Sequence, residues 1–217
     1  MADTSRISAI RPTQRDPNRA TIKVDGRAVG TLSQKLIDDL GLAIGTPWDA
    51  ALESRVAEAV LYDKAFRAAT RRLARRAMSQ DMIRRKLRDL EHPPAVIDAV
   101  LRRLEELDLV DDEAFGRALI RETVLAKPAG PMLLRQKLMQ KGLDRQLIDA
   151  LVREATVDEQ TQTDGAVDLA RKKMRSLQRY DPATQKRRLY GHLARRGFTP
   201  DAIHDALEAV LKDDSYE

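Results

Sequence analysis

The feature that most constrains this chain is an internal repeat. Shifting the sequence by 51 residues lays Ile97-Asp98-Ala99-Val100-Leu101 over Ile148-Asp149-Ala150-Leu151-Val152, and a further shift of 55 brings Ile203, Ala206 and Leu207 to the same apolar places. Ten residues before each isoleucine stands a leucine: Leu87, Leu138 and Leu193. Gly142 and Gly197 follow the last two of these leucines by four residues, the place of a helix C-cap. Asp144 and Thr199 then offer N-caps, with Pro200 at a first helical position. Each copy therefore reads as helix, tight turn, helix. A further amphipathic helix precedes each pair. Its apolar face carries Phe66, Ala69, Thr70, Leu73 and Ala77 in the first copy and Phe115, Leu119 and Thr123 in the second. In the third it carries Ala166, Leu169, Ala170, Met174 and Leu177. Asp111 is placed to cap the second of these helices, and Asp112 and Glu113 suit its positive end. The three-helix units are expected over residues 64–110, 111–156 and 158–213, with a linking helix over 46–63 and a tail over 214–217. Units this short cannot bury their apolar faces alone, so consecutive copies are expected to stack. The fold class is mainly α: tandem three-helix repeats forming an elongated helical array, with a small N-terminal β-hairpin segment.

That N-terminal segment, residues 1–45, differs in kind. Ala20–Val24 and Ala28–Leu32 flank Asp25-Gly26-Arg27, and Asp-Gly supplies the positive φ of a hairpin turn. Ile7–Ile10 reads as a third strand, with the Asp16–Arg19 stretch as the connecting turn. Ser33 caps a short helix that Gly41 ends, and Thr46-Pro47 is expected to open the linking helix.

Composition narrows the function. Aromatics make up 4% of the chain and charged residues 34%, a balance of solvent-exposed helices rather than of a ligand pocket. No cysteine is present, so disulfides and thiolate metal sites are excluded, and a cytoplasmic location is expected. No stretch approaches the roughly 20 apolar residues of a membrane span. The three histidines, His92, His192 and His204, lack partners at metal-ligand or triad spacing and read as surface residues. There is no phosphate-binding glycine loop, and Gly130-Pro131 reads as a turn between helices rather than an anion nest. No enzyme activity, cofactor or metal is expected.

Charge is segregated along the chain. From Lys64 to Leu90 ten basic residues face two acids, a net +8, and from Arg171 to Arg196 ten face one, a net +9. Residues 92–113 and 198–217 invert this, each at −5. With about 100° per residue, Arg67, Arg71 and Arg75 lie opposite Phe66 and Leu73, and Arg85 and Arg88 point away from Leu87. The expected contact residues are Arg67, Arg71, Arg72, Arg75, Arg76, Arg84, Arg85 and Arg88 in the first copy, and Arg135 and Lys141 in the second. In the third they are Arg171, Lys172, Arg175, Arg179, Lys186, Arg187, Arg188, Arg195 and Arg196. Such faces also occur as mere solvation of helices. Their recurrence in two copies, with the acids moved to other helices, favours an anionic partner. Few aromatics accompany them, so backbone contact without sequence reading is the expected mode.

The run Leu107-Asp108-Leu109-Val110-Asp111-Asp112-Glu113-Ala114-Phe115, followed by Gly130-Pro131 and Leu138-Met139-Gln140-Lys141-Gly142-Leu143, resembles the RecX family of regulators of the bacterial recombinase RecA. The resemblance covers about residues 60–213. It departs from the family where Glu91-His92-Pro93-Pro94 replaces a Lys-Gly turn and where Ala126 stands in place of a basic residue. It implies a non-enzymatic protein of three-helix repeats, and a monomer is expected. Such a protein would lie along a RecA filament, touch single- or double-stranded DNA without sequence specificity, and inhibit ATP turnover and strand exchange. Two other readings stay open on the residues alone: a helix-turn-helix transcriptional regulator using Pro131–Glu154, and an adaptor that binds only protein.

Overall fold

The structure, a computed structural model, describes residues 5–213. The chain divides into two compact units, residues 1–77 with 83–109, and residues 78–82 with 110–217.

The first unit begins with an antiparallel sheet of β1 (Ile7–Thr13), β2 (Asp16–Val24) and β3 (Arg27–Ser33), in that order. Asp25 and Gly26 both take positive φ, 47° and 82°, which matches the right-handed twist of the β2–β3 hairpin. Asp16–Arg19 is not the turn expected from its Asp-Pro-Asn composition. It lies within β2, and the β1–β2 turn is Gln14-Arg15. Pairing of Thr13 with Asp16 holds the hairpin closed there, and Thr13 Oγ1 donates to the Asp16 carbonyl at 2.8 Å.

Two helices cover the sheet. Helix α1 (Gln34–Asp39) starts at Ser33, whose hydroxyl accepts from the Leu36 amide. Helix α2 (Ala50–Leu73) starts at Asp49, not at Thr46-Pro47. The backbone around Pro47 is already committed to the sheet edge: Arg6 bridges Pro47, and the Trp48 amide donates to Ser5. Ile7, Ile22, Leu32, Ile37 and Val56 form the core between sheet and helices. A Cβ on Gly30 would lie 2.5 Å from Val60 Cγ2, so β3 admits α2 only because that position is bare. Arg19 on β2 and Asp63 on α2 form a buried ion pair at 2.5 Å, and Arg19 Nη2 also donates to the Thr31 carbonyl.

Helix α2 runs unbroken through residues 63 and 64, so its C-terminal half serves as the first helix of the first repeat. It ends at Leu73; Ala77 lies beyond it, and Ala65 and Ala69 supply the buried face. Helices α3 (Gln80–Arg88) and α4 (Pro94–Glu106) complete that repeat. In the second unit, α5 (Asp112–Ala126), α6 (Pro131–Gln140) and α7 (Arg145–Ala155) form one repeat. Helices α8 (Glu159–Met174), α9 (Pro182–Arg195) and α10 (Pro200–Asp213) form the other. The repeat residues Leu87, Leu138, Leu193, Ile97, Ile148 and Ile203 are all buried, each such side chain contributing about 1.5–3 kcal/mol.

One turn geometry stands at the same place in each of the three repeats. The Leu87, Leu138 and Leu193 carbonyls accept from the amides of His92, Leu143 and Phe198, five residues on. The residue just before each donor, Glu91, Gly142 or Gly197, takes φ of 59°, 76° or 80°. This is the hydrogen bonding of a Schellman C-cap. His92, Leu143 and Phe198 all plug the core beneath it, and His92 is therefore buried rather than a surface residue.

A second element is duplicated within the second unit. The Gly130 amide donates to the Arg196 carbonyl at 2.9 Å and the Met132 amide to the Gly197 carbonyl at 3.0 Å, so these N–H groups are used internally and form no anion nest. At the place of Gly130, Ser79 Oγ donates to the Lys141 carbonyl at 2.5 Å, and beside it the Gln80 amide, where the other copy has Pro131, donates to the Asp112 carboxylate at 2.8 Å. In the third repeat the position of Ser79 and Gly130 is filled by buried Gln185, and α9 begins one turn earlier than α3 and α6 do.

Candidate nucleic-acid interface

The cations singled out in the sequence occupy distinct environments. In the first unit Arg67, Arg71 and Arg72 lie on the last turns of α2, and Arg75 and Arg76 follow in the turn after it. Arg72 is half-buried and donates to the Ala68 carbonyl at 2.9 Å, and Arg67 is also half-buried. Arg71, Arg75 and Arg76, with Arg85 and Arg88 on α3, are exposed. Among the described residues Arg71, Arg75, Arg76 and Arg88 enter no ion pair.

Arg84 and Arg135 are different. They hold the same repeat position, and each pairs with an aspartate fourteen residues on, Arg84 with Asp98 and Arg135 with Asp149. Pairs this exposed stabilise by about 0–1 kcal/mol, but they remove two arginines from the unpaired set. The third repeat carries Tyr190 and His204 at these places. Lys141 is half-buried beside the Ser79 contact. Arg196 is likewise engaged within the fold. Its Nε donates to the Pro128 carbonyl at 2.9 Å and its Nη2 to the Lys127 carbonyl at 2.7 Å, closing the loop after α5.

In the third repeat Arg171, Lys172 and Arg175 are exposed at the end of α8, and Lys186 and Arg187 are exposed on α9. Tyr180, between these helices, packs against the core of Leu177 and Leu189. Arg188 stacks on its ring at 4.0 Å from the centroid, and Arg179 lies 5.0 Å from it and donates Nη2–H to the hydroxyl at 3.0 Å. That hydrogen bond, with the charges of both guanidinium groups, holds the Tyr180 hydroxyl below the usual tyrosine value.

Arg188, His192 and Arg195 are spaced i, i+4 and i+7 on α9, which places them along one stripe. Arg195 folds back along the helix, its Nη1 lying 3.4 Å from where a Cβ on Gly191 would stand. His192 is half-buried within this stripe. Desolvation pushes its ring below the ordinary histidine value, and the positive charges of Lys127, Lys173, Arg195 and Arg196 push the same way. His92 is also lowered, by burial first and then by Lys64. Sequence reasoning missed Lys127 and Lys173, because they stand on different elements and only the fold brings both beside His192.

Exposed guanidinium and ammonium groups without acidic partners can hold phosphate oxygens through charge-assisted hydrogen bonds. Among the described residues, no group of three or more His, Asp or Glu is arranged to hold a metal ion, and no helix is long and apolar enough to cross a membrane.

Three family models match in order: the first three-helix domain of RecX over residues 65–104, the second over 111–151 and the third over 160–207. The chain belongs to the RecX family. Among curated RecX relatives, the regulatory protein RecX of Levilactobacillus brevis is 32% identical over 188 residues, 87% of this chain and 70% of that one. The regulatory protein RecX of Chlorobium phaeobacteroides is 32% identical over 149 residues, 69% of this chain and 95% of that one. A crystal structure of regulatory protein RecX shares the fold with a TM-score of 0.81 at 24% identity, covering 92% of this chain and 97% of that one. The matched three-helix domains span both clusters of cations that enter no ion pair among the described residues, Arg71, Arg75, Arg76 and Arg88 in the first and Lys172, Arg175, Arg187, Arg188 and Arg195 in the third.

Proposed function

We propose that this chain is a non-enzymatic regulator that binds a RecA filament on DNA and inhibits its ATP turnover and strand exchange, acting as a monomer in the cytoplasm. Membership of a family of regulatory proteins supports a regulator. The observation that carries the reading to a DNA-bound partner is the distribution of unpaired cations. Arg71, Arg75, Arg76 and Arg88 in the first repeat, and Lys172, Arg175, Arg187, Arg188 and Arg195 in the third, enter no ion pair among the described residues, while the second repeat's Arg135 is paired. A polyanion that neutralised both sets would release counterions at each, which gives tight but salt-sensitive and sequence-indifferent binding.

The test is an ATPase titration. Adding the protein to RecA on single-stranded DNA lowers ATP hydrolysis in a saturable way, and strand exchange falls in parallel. Unchanged hydrolysis at saturating, folded protein would refute the reading. Strong discrimination among duplex sequences at fixed salt would instead mark a transcriptional regulator, and partner binding with no DNA affinity at low salt would mark a protein-only adaptor.

A further inference from the structure

We infer that the third repeat carries a proton-linked track for a nucleic-acid phosphodiester backbone, running along α9 from the Arg179–Tyr180–Arg188 clamp, through His192, to Lys127, Lys173 and Arg195. The inference rests on the nucleic-acid part of the proposed function and assigns it to particular residues and a mode of regulation.

Three features define the track. At one end Tyr180 is fixed by its packing on the core, and the exposed Arg188 guanidinium is held in place by stacking on its ring. Arg179, bonded to the Tyr180 hydroxyl, sets a second guanidinium beside the first. A pair of oriented forks suits the oxygens of a phosphodiester. At the other end Lys127 from the loop after α5, Lys173 from α8 and Arg195 from α9 gather around one ring. The seven steps from Arg188 to Arg195 span about 10 Å of helix, so one strand can touch both ends.

His192 lies between them. The charged groups acting on it from α8, α9 and the loop after α5 are all cations, Lys127, Lys173, Arg195 and Arg196. In the free protein partial burial first, and then these charges, disfavour the protonated ring and hold it below the ordinary histidine value. A phosphodiester on the track reverses the local field, so the ring takes up a proton as the strand binds and becomes one more cation on it. Affinity therefore rises as pH falls, by at most about tenfold per pH unit for one linked proton. Acidic protein surface would also attract the cluster, but the Arg–Tyr–Arg clamp, with a second group of cations one to two helical turns away, favours a phosphodiester chain.

The experiment is binding of labelled oligo-dT to the full chain at fixed low salt, at about pH 6 and about pH 8. The wild type binds several-fold more tightly at the lower pH. His192→Gln, with unchanged helicity, binds equally at both, and Lys127→Gln with Lys173→Gln weakens binding at both. Calorimetry of the wild type in buffers of different ionisation enthalpy reads the proton uptake directly and needs no variant. Measurable oligo-dT binding without proton uptake, or a pH response retained by His192→Gln, overturns this inference while leaving the proposed function standing. Failure of the wild type to bind oligo-dT at low salt overturns both.

Discussion

Glu91, Gly142 and Gly197 hold one position of the repeat, all at positive φ, and substitutions there should differ in sign. An L side chain in the left-handed region costs about 1–2 kcal/mol. Glu91→Gly removes that cost and adds about 0.5–1 kcal/mol of unfolded-chain entropy, so it should stabilise by about 0.5–1 kcal/mol. Gly197→Ala acquires the left-handed cost and sets a Cβ 2.2 Å from the Leu133 amide nitrogen and 2.6 Å from its Cβ. Backbone cannot yield as a side chain can, so opening this contact adds about 1–3 kcal/mol. With the entropy gain subtracted, the loss should be about 2–3 kcal/mol. Gly142→Ala meets Asp81 instead, its Cβ at 2.6 Å as well as its carboxylate, and should also cost about 2–3 kcal/mol. Urea denaturation followed by far-UV circular dichroism reads all three. Destabilisation by Glu91→Gly, or a neutral Gly197→Ala, would refute the claim that the three turns are copies of one device.

Other consequences are accessible to the same methods. Burial first, and then Lys64, hold the His92 ring below its unfolded value in the fold, so as pH drops through about 6.5 the unfolded chain takes up the proton first and stability falls; His92→Leu, which copies Leu143, should flatten that slope in denaturation midpoints measured against pH. Arg196→Met removes the donors to the Lys127 and Pro128 carbonyls and should lower stability by about 2 kcal/mol; a smaller change than about 0.5 kcal/mol would show that water replaces these bonds without loss. Raising salt should weaken binding to oligo-dT with the same slope for mixed and homopolymer sequences, since the contacts are to backbone; sequence-dependent slopes would contradict that.

The fold was legible where burial follows periodicity. The leucines and isoleucines that marked the repeat are all buried, and the caps at Ser33, Asp111, Asp144 and Thr199 formed because short polar side chains satisfy free helix amides wherever a helix begins. Thr46-Pro47 misled because the same dipeptide also suits an extended edge, and the pairing of Arg6 with Pro47 decided between them. His92 misled because its polarity hid its register with Leu143 and Phe198, which counting from Leu87 would have exposed.

The site was less legible, because a charge count cannot tell an exposed cation from a paired one. Arg84 and Arg135 were counted with the others, yet their recurring aspartates at Asp98 and Asp149 are visible in the sequence once the repeat is aligned. The buried Arg19–Asp63 pair left no such trace: its partners come from a strand and a helix 44 residues apart. Lys127 and Lys173 needed the fold, since nothing in their local spacing links them to His192.

The central claim is that unpaired cations in the first and third repeats engage one DNA-bound filament together. Its most direct test is a comparison of RecA ATPase inhibition by the wild type, by Arg71→Glu with Arg75→Glu, by Arg187→Glu with Arg188→Glu, and by all four changes combined, each checked for unchanged helicity. Each pair of reversals should raise the concentration needed for half-inhibition by at least about tenfold, roughly the effect of losing two phosphate contacts, and the combination should abolish inhibition. Inhibition by the fourfold variant at wild-type concentrations would show these arginines to be solvated helix faces and the claim to be wrong.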